Sequence, residues 1–155
     1  MRSHAALTSH AQQLLFTPNL ALHLASVIPI GAFPLLDYLV VTSDDVGGGI
    51  RQLVRYFKLV GSPVLLDLSE NVDTIEVVVS GSSVPFGVEY TISLAVLHLR
   101  EESEAQFVAA AVSFSHRPDD PAEFERVLGC PIHSGGSWNG ITVSRERVAP
   151  TPSTT

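Results

Sequence analysis

The sequence is short of several things, and each shortage excludes something. A single cysteine, Cys130, rules out an intramolecular disulfide and suits a reducing compartment, so the chain reads as cytoplasmic. Nine Lys and Arg against sixteen Asp and Glu give a net charge of −7 and a pI near 5.2. That balance argues against direct DNA binding, because neutralising phosphates needs clustered basic side chains. No run of about 18 apolar residues exists, which speaks against a membrane-spanning helix. The opening "MRSHAALTSHAQQLLF" lacks the uninterrupted apolar core of a signal peptide. The longest apolar stretch, "ALHLASVIPIGAFPLLDYLVV", is broken by His23, Pro29, Gly31, Pro34 and Asp37. It reads as short buried helices joined by turns. No internal repeat is present, and the only biased segment is the small, polar, proline-rich "APTPSTT".

What is there describes one globular domain. The 155 residues are enough to bury roughly 70% of the surface of the unfolded chain. Hydrophobic residues at 45% against charged residues at 16% predict an internal cavity or an apolar face that something covers.

Periodicity supplies the elements. Helices are expected over residues 19–27 and 33–42. The best helical signal follows, with Ile50, Leu53, Val54 and Phe57 at i, i+3, i+4 and i+7, capping and negative charge from Ser43, Asp44 and Asp45, and Gly61 as the stop. Two strand-like runs around "SENVD" predict a β-hairpin. A long helix over 86–102 carries a core stripe of Val88, Ile92, Ala95, Val96 and Leu99. Residues 107–114 read as a buried strand. Asp120, Pro121 and Glu123 then give a helix start, and Gly129 with Pro131 a helix stop. The chain returns through "IHSGGSWNGITV" as a second hairpin. The class is α+β, with antiparallel β-hairpins and a small sheet packed against several helices.

The segments "GAFPLLDYLVVTS", "GIRQLVRYFKLV", "VSFSHRPDDPAEFERVLGCPIHSG" and "WNGITV" resemble, in order and spacing, the N-terminal arabinose-binding-type sensing domain of AraC-family transcription regulators. The pattern combines a Gly-rich helical entry, the Arg55-Tyr56-Phe57 helix, a Phe114-x-His116 strand end and Phe124 before Gly129-Cys130-Pro131. The resemblance implies a bacterial sensor without catalysis. It would bind a small-molecule effector, form a homodimer, and control DNA only through a domain of two helix-turn-helix units that this sequence does not contain. It further implies an N-terminal flank at 1–18, the ligand-sensing and oligomerisation domain at 19–148, and a linker or disordered tail at 149–155.

Chemical candidates are few. Gly47, Gly48 and Gly49 lack the preceding strand and following Lys-Ser/Thr of a phosphate loop. Cys130, His133 and His116 fall short of the four ligands at paired spacings that structural zinc requires, so no metal and no cofactor is expected. Ser, His and acidic residues allow a small non-metal hydrolase to be imagined, but no Gly-x-Ser-x-Gly elbow accompanies them. A purely structural dimerisation module is the other alternative. The groups best suited to line an apolar ligand pocket are Tyr56, Glu89, Tyr90, His116 and Trp138, each joining an apolar body to a polar tip or charge. The bland reading, aromatics that fill core and turn their tips to solvent, competes for each of them. Arg51, Arg55, Arg100 or Arg117 could each hold one carboxylate.

Overall fold

The computed structural model describes residues 17–29, 31–32, 45–60, 63–82, 84–103 and 107–145. The helix expected over 33–42, nearly all of the 1–18 flank and the 149–155 tail lie outside the described residues.

The hairpin forms where the turn signal placed it. Strand β1 (Leu65–Glu70) pairs antiparallel with β2 (Thr74–Ser80), and Asn71 to Asp73 make the turn. On β2 the alternation is complete: Ile75, Val77 and Val79 are buried, while Glu76 and Val78 face the other side. That period of two sets one face of the sheet against the helices.

Four helices are described. Helix α1 (Leu20–Val27) packs along the long helix α3 (Pro85–Glu102), with α2 (Val46–Tyr56) beside them. The three glycines fall in the first turn of α2, where the Asp45 carboxylate accepts a hydrogen bond from the Gly48 N–H at 2.6 Å. α2 stops earlier than its stripe suggested, tightening into a 3₁₀ turn over Phe57–Val60. Pro85 occupies the first turn of α3, as a missing N–H permits there.

The sheet has five strands, in the order β1-β2-β5-β3-β4. The remaining three are β3 (Ala111–Ser113), β4 (Ile132–His133) and β5 (Asn139–Ser144), and α4 (Pro121–Leu128) lies between β3 and β4. α4 begins and ends on its predicted residues: Asp120 caps the Glu123 N–H, and Gly129 closes the helix at φ 74°. The second hairpin, however, does not form. β4 pairs with β3 in parallel, and β5 returns on the other side of β3 in antiparallel pairing with both β3 and β2. The cause is α4, since a helical crossover of this kind delivers the chain back parallel to the strand it left. The predicted strand over 107–114 shortens to three ladder residues, Ala111 to Ser113, all paired with β5 and two of them also with β4.

One core results. Val112, Ile141, Val143, Ile75 and Val77 from the sheet meet Val88, Ile92, Val96 and Leu99 of α3, with Leu22, Ile50, Phe124 and Leu128 from the other helices. Phe114 packs edge-on against Phe124 with ring centroids 5.3 Å apart. Among the described residues no helix is long and apolar enough to cross a membrane.

Candidate functional site

Strand parity aims His116. Val112 and Phe114 point into the core, so the next residue of the same parity, His116, also turns toward the helices. Its ring lies 5.2 Å from that of Phe114. There it meets Glu89, one turn into α3. Nε2 of His116 stands 2.7 Å from Oε2 of Glu89, the length of a charge-assisted hydrogen bond in which the ring N–H donates to the carboxylate.

Glu89 is 9% exposed. Burial pushes its carboxyl above the ordinary value of 4.5, the hydrogen bond and charge of His116 pull it back, and the nearby Asp119 pushes it up again. The net direction is upward. Desolvation therefore outweighs the imidazole, and the carboxylate is under-compensated. Its second oxygen, Oε1, receives none of the described hydrogen bonds. A raised folded-state value means that the unfolded chain gives up this proton first, so the contribution of Glu89 to stability is greatest at acid pH. It is lost as pH rises from about the ordinary value of 4.5 through the higher folded one. Melting curves of wild type and Glu89→Gln across pH 4 to 8 check this. Stability of the wild type relative to the variant should decline as pH rises, and a flat difference contradicts the account.

The face of α3 around Glu89 is graded. Phe86, Glu89, Tyr90 and Ser93 stand at i, i+3, i+4 and i+7 and thus share one side of the helix. Phe86 is 43% exposed, and its ring stacks on Tyr90 at 6.2 Å with planes 7° apart. Ser93 is 0% exposed, and its hydroxyl has no hydrogen-bond partner among the described residues. A buried hydroxyl left unpaired costs about 1–3 kcal/mol. A partly exposed aromatic entrance, a carboxylate bonded through one oxygen and a buried hydroxyl with no partner among the described residues thus succeed one another along the helix.

A second polar group borders the first. Asn19, buried and at φ 54°, donates from Nδ2 to the Asp120 carbonyl and to Glu123 Oε1, each at 2.9 Å, and its Oδ1 accepts from the Asp120 N–H at 3.1 Å. His23 Nε2 lies 3.0 Å from the same Glu123 oxygen. These bonds fasten the start of α1 to the start of α4. The cluster is internally satisfied, and we read it as a clasp.

The family model for the arabinose-binding domain of AraC transcription regulators, N-terminal part, matches residues 1–149. The chain belongs to this family. Among solved structures, the transcriptional regulator CdpR from Pseudomonas aeruginosa superposes with a TM-score of 0.71 at 13% identity, over 94% of this chain and 50% of that one. At that identity the likeness is one of fold, and the chain spans half the length of the regulator it matches. No curated protein matches the chain.

Within this arabinose-binding-type domain the five predicted residues do not converge on one place. Glu89 and His116 are in contact, and Tyr90 adjoins them on α3. Tyr56 ends α2, with the Arg55 guanidinium 5.4 Å from its ring centroid, and none of the described contacts joins it to Glu89. Trp138 lies over Gly140, on the sheet face opposite to that of Ile141 and Val143. Ser93 and Phe86 were not predicted. The signal that could have found Ser93 is a serine one turn after an acidic residue, just beside the core stripe of a buried helix.

Three of the arginines considered as carboxylate holders are engaged: Arg51 pairs with Glu70 at 2.9 Å, Arg55 lies over Tyr56, and Arg100 donates to the Val127 carbonyl at 3.1 Å. Cys130 is buried, and its thiol is pushed up to about 11 by burial and by Glu125. His133 is exposed on β4. Among the described residues no three metal-ligating side chains cluster. Because roughly one thiol in a thousand is ionised three units below its pKa, Cys130 should react with a disulfide reagent at pH 8 far more slowly than the thiol of the unfolded chain. Equal rates contradict its burial.

Proposed function

We propose that this chain is the effector-sensing domain of an AraC-type transcription regulator, acting in the cytoplasm and without catalysis. The effector enters beside Phe86 and Tyr90 and reaches Glu89, His116 and Ser93. The observation that carries this reading is the buried Glu89, bonded to the half-buried His116, with one carboxylate oxygen that receives none of the described hydrogen bonds, one helical turn from a buried hydroxyl with no partner among the described residues. Polar groups left short of partners inside an apolar wall are what a small-molecule site supplies to its ligand.

The mechanism is a population shift. His116 follows β3 and leads into α4, while Glu89 belongs to α3, so a ligand held between them favours one relative position of helix and sheet. It does so only to the extent that it binds that arrangement more tightly than the alternative. The output would pass through the end of β5, where Arg145 bonds to the Asn71 carbonyl and lies 3.5 Å from Glu70, to a DNA-binding domain, with a homodimer as the working unit. The hydrolase alternative needs a nucleophile in contact with a base, and Ser93 makes no bond to His116. The dimerisation alternative leaves the unpaired groups on α3 without a use.

Thermal melting in the presence of fractionated metabolite pools tests the reading. A ligand at a hundred times its Kd stabilises the folded state by about 2.7 kcal/mol, which for a chain of this size raises Tm by roughly 5–10 °C. The shift should vanish in Glu89→Ala. Pools that never move Tm contradict a sensing role.

A further inference from the structure

We infer that the effector presents a cationic group, an ammonium or a guanidinium, to Oε1 of Glu89. The inference rests on the site described in the preceding subsection and adds the chemistry of its occupant. The charged groups acting on Glu89 are His116 and Asp119. None of the arginines is among them: Arg51, Arg55 and Arg100 are engaged elsewhere, and Arg117, although next to His116, is exposed and does not act on Glu89. A carboxylate-bearing ligand would therefore approach the buried Glu89 carboxylate, with the exposed Asp119 nearby, against the charge of both.

The first turn of α3 offers a partial positive charge, equivalent to about half an elementary charge. The full charge of the buried Glu89 carboxylate outweighs it. A cation reverses every unfavourable term at once. It pairs with Oε1, which receives none of the described hydrogen bonds, holds Glu89 ionised, and leaves the His116 bond to Oε2 in place. Ser93, one turn deeper, offers its hydroxyl to any acceptor the ligand carries beyond the cation, and the Phe86–Tyr90 stack offers aromatic faces along the way in, which favour the same charge.

The test uses the wild-type chain and matched linear probes of four to six carbons that end in an ammonium, a hydroxyl or a carboxylate, read by calorimetric titration and by Tm. The ammonium series should bind at least tenfold more tightly than the alcohol of equal length, and the carboxylates more weakly still. Glu89→Gln should erase the ammonium preference, while Glu76→Gln, which removes one charge on the opposite sheet face, should leave it intact. Carboxylate binding equal to or tighter than ammonium binding overturns the inference and leaves the sensing site standing. So does an ammonium preference that survives Glu89→Gln. Should that variant not fold, the wild-type ratio of ammonium to carboxylate still decides. No binding by any series overturns the sensing site and this inference together.

Discussion

Gly140→Ala is expected to lower stability by about 3 kcal/mol, a fall in Tm of roughly 6–12 °C for a chain of this size. Gly140 lies on β5, paired with Val78 on one side and Ser113 on the other, near the middle of the sheet. A β-carbon there would meet the Val77 carbonyl oxygen and the Trp138 ring, both inside the 3.0 Å that real contacts of this kind respect. The ring can swing away, but the carbonyl belongs to a strand fixed between two neighbours. Removing the ring in the double variant Trp138→Ala/Gly140→Ala should therefore restore only part of the loss. Full recovery would assign the whole effect to the indole, and wild-type stability of Gly140→Ala would contradict the packing described here.

Asn19→Ala should cost about 2–3 kcal/mol by two separable routes. Alanine strains at φ 54° by about 1 kcal/mol, and the loss of three hydrogen bonds strips the partly buried Asp120 backbone of its partners, at about 1 kcal/mol per group. Asn19→Gly removes the strain and keeps the loss, so it should lie between wild type and Asn19→Ala. The change also has a pH signature. The hydrogen bond from Asn19 is the largest of the influences that hold the Glu123 carboxyl below its ordinary value of 4.5. A depressed folded-state value contributes stability that is present above the unfolded value and lost as pH falls through the folded one. The variant should therefore lose part of this acid sensitivity, and Tm measured from pH 6 down to pH 3 reports it. Parallel curves for wild type and variant would show that the clasp does not act on Glu123.

Local chemistry made much of the fold legible. Asp120, Pro121 and Gly129 bound α4 because caps act within one turn, and the hairpin followed from its turn residues. The sheet order was not legible, since alternation names the buried face of a strand and not its neighbour. "IHSGGSWNGITV" carries the marks of a hairpin, yet its two halves sit on opposite sides of β3. The site divides in the same way. His116 could be aimed from the parity of Val112 and Phe114, and Glu89 was visible as a carboxylate on an apolar helix. Their contact spans 27 positions and exists only in the folded chain. Trp138 was grouped with them because it is aromatic and near a strand end. Its parity with Gly140, opposite to Ile141 and Val143, puts it across the sheet.

The central claim is that a small molecule binds between the first turns of α3 and the segment after β3. The most direct test is a backbone amide NMR titration with any molecule that raises Tm. The account predicts that the largest shifts fall on residues 86–93 and 114–117, with smaller ones along α4. Shifts confined to the opposite sheet face around Trp138 and Thr142, with residues 86–93 unmoved, would contradict it.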